Sequence, residues 1–209
     1  MKKTLKFLSL MLLILTVCAC TQSGEQAVMK TYDNEVKFHI NKDAANISIA
    51  WGDGTTSNVN DGKPTEFWLE FSHQYADSKL HTIVVKADNL QDLTCSYNDL
   101  TELDVRRCPM LEELDCSSNQ LTSLDVRKCP MLEELDCDGN QLTGLDVSKC
   151  LMLEDLDCDD NHLTGLDVSK CHKLRRLNCR KNQLTSLDVS KCPKLGTLRC
   201  DDNINVQRQ

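Results

Sequence analysis

The sequence predicts a mainly β chain in which a small β-domain precedes a solenoid of short parallel strands. Three observations carry this expectation. Two cysteine series, Cys95 to Cys200 and Cys108 to Cys192, each recur every 21 residues, a period that belongs to stacked coils. Upstream of them, apolar and polar residues alternate over short runs separated by turn residues, the two-residue period of half-buried strands. Aromatics and cysteines also divide the chain: seven of the nine aromatics lie between Tyr32 and Tyr75, whereas no cysteine occurs from Thr21 to Thr94 and eleven follow. Cores of two chemistries predict two domains, meeting at residues 89 and 90.

With 209 residues, 40% hydrophobic and 4% aromatic, the chain can bury a core filled mostly by aliphatic side chains, which excludes disorder. The formal charge is −8, and −11 once the three lysines of the leading segment are set aside. An acidic chain of this kind is a poor ligand for a phosphate backbone, so no nucleic-acid partner is expected.

At the start of the chain Lys2, Lys3 and Lys6 precede an apolar run from Phe7 to Val17. The run is shorter than the roughly 20 residues that span a bilayer as a helix, and predicts a signal peptide over residues 1–19. It ends in Val17-Cys18-Ala19-Cys20, which resembles the lipobox of bacterial lipoproteins, where a small residue precedes the cysteine that receives the lipid. The resemblance implies lipid attachment at Cys20, a lipidated tether over residues 20–30, and a place in the bacterial cell envelope, at the outer membrane and exposed on the surface. Acyl chains would hold the protein on a membrane with no spanning segment.

The β-domain is expected over residues 31–89. Apolar residues alternate in Val36-Phe38-Ile40, Ile47-Ile49-Trp51, Phe67-Leu69-Phe71 and Ile83-Val85, with a last strand from His81 to Lys86. Two glycines around an aspartate in Trp51-Gly52-Asp53-Gly54-Thr55 read as a tight turn with positive φ. With His73-Gln74-Tyr75 some twenty residues on, this turn resembles the PKD domain, an immunoglobulin-like sandwich. Asp53 and His73 admit a metal or catalytic reading, but Asp53 is expected to bond turn amides and His73 to pack beside Tyr75.

The repeats occupy residues 90–204 as five full coils and a partial sixth, followed by a tail at 205–209. In one unit, Leu111, Leu114, Cys116, Asn119 and Leu121 are followed by Leu124, Val126 and Cys129, so the second half nearly copies the first. The first half has the leucine-rich-repeat signature. The nested ten-plus-eleven pattern resembles the IRREKO class of bacterial leucine-rich repeats, known from Bacteroidetes-type surface proteins. In L-D-C and L-D-V the outer residues share one face of a strand, so Leu114, Cys116, Leu124 and Val126 should point inward and Asp115 and Asp125 outward. Each coil is therefore expected to carry two short parallel strands on opposite walls. Asn98, Asn119, Asn140, Asn161, Asn182 and Asn203 should form a column that satisfies backbone groups at the turn. No C-x-x-C occurs, so zinc is not expected, and stacked cysteines present parallel Cβ vectors poorly placed for disulfides. Free, buried thiols are the expectation.

What varies between coils is the outward face of the first wall. Glu112, Glu113 and Asp115 stack on Glu133, Glu134 and Asp136, then on Glu154, Asp155 and Asp157, before the sign reverses at Arg175 and Arg176. On the second wall Asp104 to Asp188 run beside Arg107, Lys128, Lys149, Lys170 and Lys191 and largely cancel. The uncompensated wall, with its acidic stripe and basic end, is the candidate ligand-binding face. Its expected ligand is a protein or peptide of opposite polarity, bound in an adhesin or host-contact role. Soluble charge alone would also suit an edge-prone solenoid. The alternative is a glycan-binding or envelope-scaffold lipoprotein, but sugar-binding solenoids present aromatic platforms and Tyr97 stands alone. No catalytic motif occurs, and no cofactor or metal is expected; Asp159-Asp160 and Asp201-Asp202 lack the ligand spacing of a calcium loop. The C-terminal end lacks a polar cap, and is expected to fray or to be covered by a second molecule.

Overall fold

The computed structural model describes residues 24–65 and 67–208. The expected signal peptide, the lipobox and Cys20 lie outside the described residues. The β-domain supplies β1 (Glu25–Thr31), β2 (Glu35–Asn41), β3 (Ala45–Ala50), β4 (Thr56–Asn58), β5 (Lys63–Pro64), β6 (Trp68–Gln74) and β7 (His81–Asp88). The repeats supply β8 (Asp92–Thr94), β9 (Leu100–Arg107), β10 (Glu113–Asp115), β11 (Glu134–Asp136), β12 (Asp155–Asp157), β13 (Arg176–Asn178), β14 (Ser186–Asp188), β15 (Thr197–Arg199) and β16 (Asn205–Gln207). Among the described residues no α-helix occurs, and no helix is long and apolar enough to cross a membrane.

The alternation in β2 and β7 buries Val36, Phe38 and Ile40 in one core with Ile83, Val85 and Ala87. Phe38 is the hub of the aromatic core, with ring centroids 5.7 Å from Trp51 and 5.8 Å from Phe71. The Trp51 turn needs its first glycine: Gly52 has φ +88°, and a Cβ there would lie 2.6 Å from the Thr82 carbonyl oxygen. Tyr75 locks the turn by donating its hydroxyl to the Trp51 carbonyl at 2.6 Å. One alternating residue departs from expectation. Phe67 precedes β6 instead of entering it and is 62% exposed.

The first wall of the solenoid follows the 21-residue period. β8, β10, β11, β12, β13 and β15 pair in parallel and in register, so that Leu93, Leu114, Leu135, Leu156, Leu177 and Leu198 form one inward column. Numbered from β8, these six strands define coils one to six. The asparagine column does the work expected of it. Asn140 donates through Nδ2 to the carbonyls of Cys116, Cys137 and Asp138, and its Oδ1 accepts the Leu121 N–H at 3.0 Å. Asn119, Asn161 and Asn182 repeat that set.

The second wall differs from the expected ladder. Val105, Val126, Val147 and Val168 are buried as predicted, yet residues 124–126, 145–147 and 166–168 are not paired as strands. Their polar groups are used locally instead. Asp125, Asp146 and Asp167 each accept the N–H two residues on, and Cys129, Cys150 and Cys171 each donate N–H to the valine three residues back. The thiols add the contact between coils: Cys129, Cys150 and Cys192 reach the carbonyls of Val105, Val126 and Val168 at 3.5, 3.6 and 3.4 Å.

Three boundaries also change. The described part of the expected tether is β1 from Glu25 onward, which buries Ala27 and Met29 between β7 and β9. The expected division at residue 89 does not separate two cores, because aromatic and aliphatic residues join one cluster. One sheet has the order β4-β3-β7-β1-β9 and the other β15-β13-β12-β11-β10-β8-β2-β6-β5, so both cross that division. Finally, the expected tail contains β16, which pairs with β14 nineteen residues earlier. The last coil is short, and Asp201 takes the place expected of Asn203 by accepting the N–H groups of Lys181 and Asn182.

Candidate functional site

Parallel pairing in register decides what the first wall presents. With Leu inward at the middle of each three-residue strand, the flanking residues point outward in two columns. One column runs Asp92, Glu113, Glu134, Asp155, Arg176 and Thr197, and the other Thr94, Asp115, Asp136, Asp157, Asn178 and Arg199. Between them lies a shallow groove of 390 Å³. Six predicted residues, Glu113, Asp115, Glu134, Asp136, Asp155 and Asp157, line it together with Arg176. Glu112, Glu133, Glu154 and Arg175 sit one position before the strands, at the rim, where backbone bonds such as Glu133 N–H to the Glu112 carbonyl hold them.

Partial burial raises the pKa of these carboxylates, and their stacking adds to the effect. Burial, reinforced by Asp138 and Asp115, pushes Asp136 up to about 7. Asp138 is raised too, through burial and the surrounding Asp157, Asp159 and Asp115. Glu113 rises by burial and by its neighbours Asp92 and Glu134, and Asp92 by burial and Glu112.

The two arginines expected as the basic end, Arg175 and Arg176, are not free charge. Arg176 pairs closely with Asp155, and also reaches Glu134 at 4.0 Å. Arg175 binds Glu154 at 3.0 Å, and Lys181 reaches Asp160 at 3.3 Å. Arg175, Arg176 and Lys181 of coil five are therefore spent on coil four, and the acid left over belongs mainly to coils two to four. Two acceptor atoms in this region, Asn178 Oδ1 and Asp159 Oδ1, are buried without a hydrogen-bond donor.

The sequence reading missed part of this surface. Asp92, Thr94, Asn178 and Thr197 were legible from the period alone, since they occupy the same repeat positions as Glu113 and Asp115. The residues contributed by the β-domain had no such signal. His39 pairs with Thr94 across β2 and β8, Glu70 with His39 across β6, and Lys63 with Glu70 across β5. The same outward face thus continues over three more strands. There Glu70 accepts from Lys37 Nζ at 2.8 Å and lies 3.2 Å from His39 Nε2, contacts that hold its carboxyl below the usual range.

Elsewhere, Asp53 accepts the Thr55 N–H at 2.9 Å and lies 2.7 Å from His73 Nε2. Hydrogen bonds from Thr55, then from His73, hold its carboxyl far below the carboxylate range. His73 stacks on Trp51 with centroids 4.8 Å apart and meets Tyr75 edge-on, so the pair fastens the turn to the core. Among the described residues no group of His, Cys, Asp and Glu is arranged to hold a metal ion. The repeat cysteines are free, and ten of the eleven are buried.

Comparison with known proteins agrees with this geometry. Residues 109–150 match the leucine-rich repeat family, in two copies. The functional domain of InlJ from Listeria monocytogenes, described as including a cysteine ladder, is similar over 60% of this chain at 36% identity and a TM-score of 0.55. A leucine-rich-repeat protein of Leptospira interrogans is similar over 56% at 32% identity and a TM-score of 0.53. This chain covers 29% and 32% of those two chains, so it spans less than a third of their length. No curated protein sequence matches the chain. The repeats form a solenoid of the leucine-rich-repeat kind.

Proposed function

We propose that this chain is a non-catalytic cell-envelope lipoprotein that recognises another protein through the first wall of its repeats, in an adhesin or host-contact role. One observation carries the reading. An in-register ladder holds Glu113, Glu134, Asp115, Asp136 and Asp157 outward beside a groove, although like charges directly across strands cost stability. On the second wall, by contrast, the first two aspartates are neutralised locally, where Arg106 and Arg127 fold back on Asp104 and Asp125 at 2.8 and 2.9 Å. Similarity to the InlJ functional domain supports a bacterial surface or secreted setting, and the cysteine ladder described for that domain supports reading the buried cysteine columns here as structural. The PKD-like reading of the β-domain rests on the Trp51 turn, His73 and Tyr75, and makes that domain the spacer that carries the solenoid.

Capture from a host or envelope extract tests the proposal. Charge reversal at Glu133, Asp136 and Asp157 should reduce the captured protein at least fivefold, and undiminished capture counts against the reading. Lipid attachment is tested separately by metabolic labelling with a fatty acid, which Cys20→Ala should abolish. Protease shaving of intact cells distinguishes outward display from residence beneath the membrane. The glycan-binding alternative draws support from Tyr97 and Tyr32, which are 79% and 55% exposed, and a glycan array that lights up while protein capture fails would favour it.

A further inference from the structure

The outward face of the nine-stranded sheet has a charge order that no single domain shows. From β5 to β15 one row reads Lys63, Glu70, His39, Thr94, Asp115, Asp136, Asp157, Asn178 and Arg199. Eight strand spacings of about 4.8 Å put its ends on the order of 38 Å apart. Cations stand at both ends and carboxylates in the middle. Lys63 and Arg199 are exposed and make no ion pair among the described residues, whereas Lys37, Arg175 and Arg176 are each paired within the face.

Resting on the reading that this face binds a protein, we infer that its partner is a protein segment with a lysine- and arginine-rich centre flanked by carboxylates, laid across all nine strands from β5 to β15. Charge complementarity sets that order: the middle offers acceptors and few donors, and each end offers an unpaired cation. Asn178 Oδ1 and Asp159 Oδ1, although closed off from solvent, also lack a donor, so this part of the face is short of donors beneath its surface as well as on it. A guanidinium or ammonium group supplies donors to the groove acids. An extended segment covers about 38 Å with roughly eleven or twelve residues, at 3.3–3.4 Å each.

The test uses the full chain and two twelve-residue peptides of identical composition, followed by fluorescence anisotropy at 50 and 150 mM salt. One peptide places glutamates at both ends and lysines in the middle, and the other inverts that order. The first should bind at least tenfold more tightly. Asp136→Asn with Asp157→Asn should weaken it about tenfold, and Lys63→Glu or Arg199→Glu severalfold each. The charge-matched pair Asp146→Asn and Asp167→Asn on the second wall should change it less than twofold. Equal binding of the two peptides, or equal loss from the second-wall pair, overturns the inference. Glu134→Trp, a bulky change at an exposed position in mid-face, separates this failure from failure of the underlying reading. If it abolishes capture from extract while the peptides are not discriminated, the face binds protein and only the proposed charge order is wrong. If it leaves capture intact, the face itself is misassigned.

Discussion

At the scale of the residue, asparagine and cysteine carry the repeat. Each column asparagine closes the turn after the first wall, its side-chain donors bonding its own coil and the one before and its acceptor taking an N–H of the one before. Removing one leaves buried carbonyls and an N–H unsatisfied, at about 1–3 kcal/mol for each group. Asn140→Ala should therefore destabilise the protein by about 3 kcal/mol or more in urea denaturation, and a loss below about 1 kcal/mol would contradict that role. The cysteines were expected as small buried hydrophobes. The structure adds that their thiols are weak donors to carbonyls of adjacent coils, as in Cys137 to Asp157 at 3.4 Å. Burial pushes Cys129, Cys150, Cys171 and Cys179 up to about 12, so these thiols stay neutral and unreactive at physiological pH. Of the eleven repeat thiols, at most the half-buried Cys200 should react with a thiol reagent in the native protein, and all eleven after unfolding.

At the scale of the element, the two walls show what a sequence period can and cannot specify. The first wall was legible because the Leu-x-Cys spacing fixes both strand and face, and because the 21-residue repeat fixes register. The second wall has the same L-D-V pattern but a different outcome. Asp125, Asp146 and Asp167 turn the chain by accepting the N–H two residues on, which competes with strand pairing and leaves no periodic trace. β1 was missed because Glu25–Thr31 alternates only weakly, and its partner β9 lies some seventy residues on. The candidate face was legible in its repeat half and illegible in its β-domain half for the same reason, since the pairing of β2 with β8 follows no repeat. The acidic ladder has its own pH signature. Asp136 titrates near 7 in the folded protein and in the ordinary carboxylate range when unfolded, so the folded state holds more protons between about pH 4 and pH 7. Stability should fall as pH rises through that window. Asp136→Asn should flatten the fall and raise the melting temperature at pH 8 by about 2–4 °C, for a gain of about 1 kcal/mol. An unchanged pH profile in the variant would remove Asp136 as its cause.

At the scale of the whole molecule, the β-domain is the first coil's missing neighbour. Asn98 begins the asparagine column, and no coil precedes it. It finds the same partners on β2 instead, donating to the Lys37 carbonyl at 2.8 Å and accepting the Lys37 N–H at 2.7 Å. Thr31 on β1 donates to the Asn98 carbonyl, and Asn41 accepts the Gln91 N–H at 3.0 Å. A solenoid exposes apolar surface at any end without a cap, so the two parts should unfold together. The chain carries its own probes for this. Both tryptophans, Trp51 and Trp68, lie in the β-domain, and the repeat cysteines all lie in the solenoid. Tryptophan fluorescence and thiol exposure followed in one urea titration should give coincident midpoints. Asn98→Ala should lower both midpoints by the same amount, corresponding to about 2–3 kcal/mol for the bonds lost at the junction. Were thiols exposed at lower urea than the tryptophan signal changes, or the reverse, the two parts would be separate folding units. The shared sheets would then be a contact between them, without a common core.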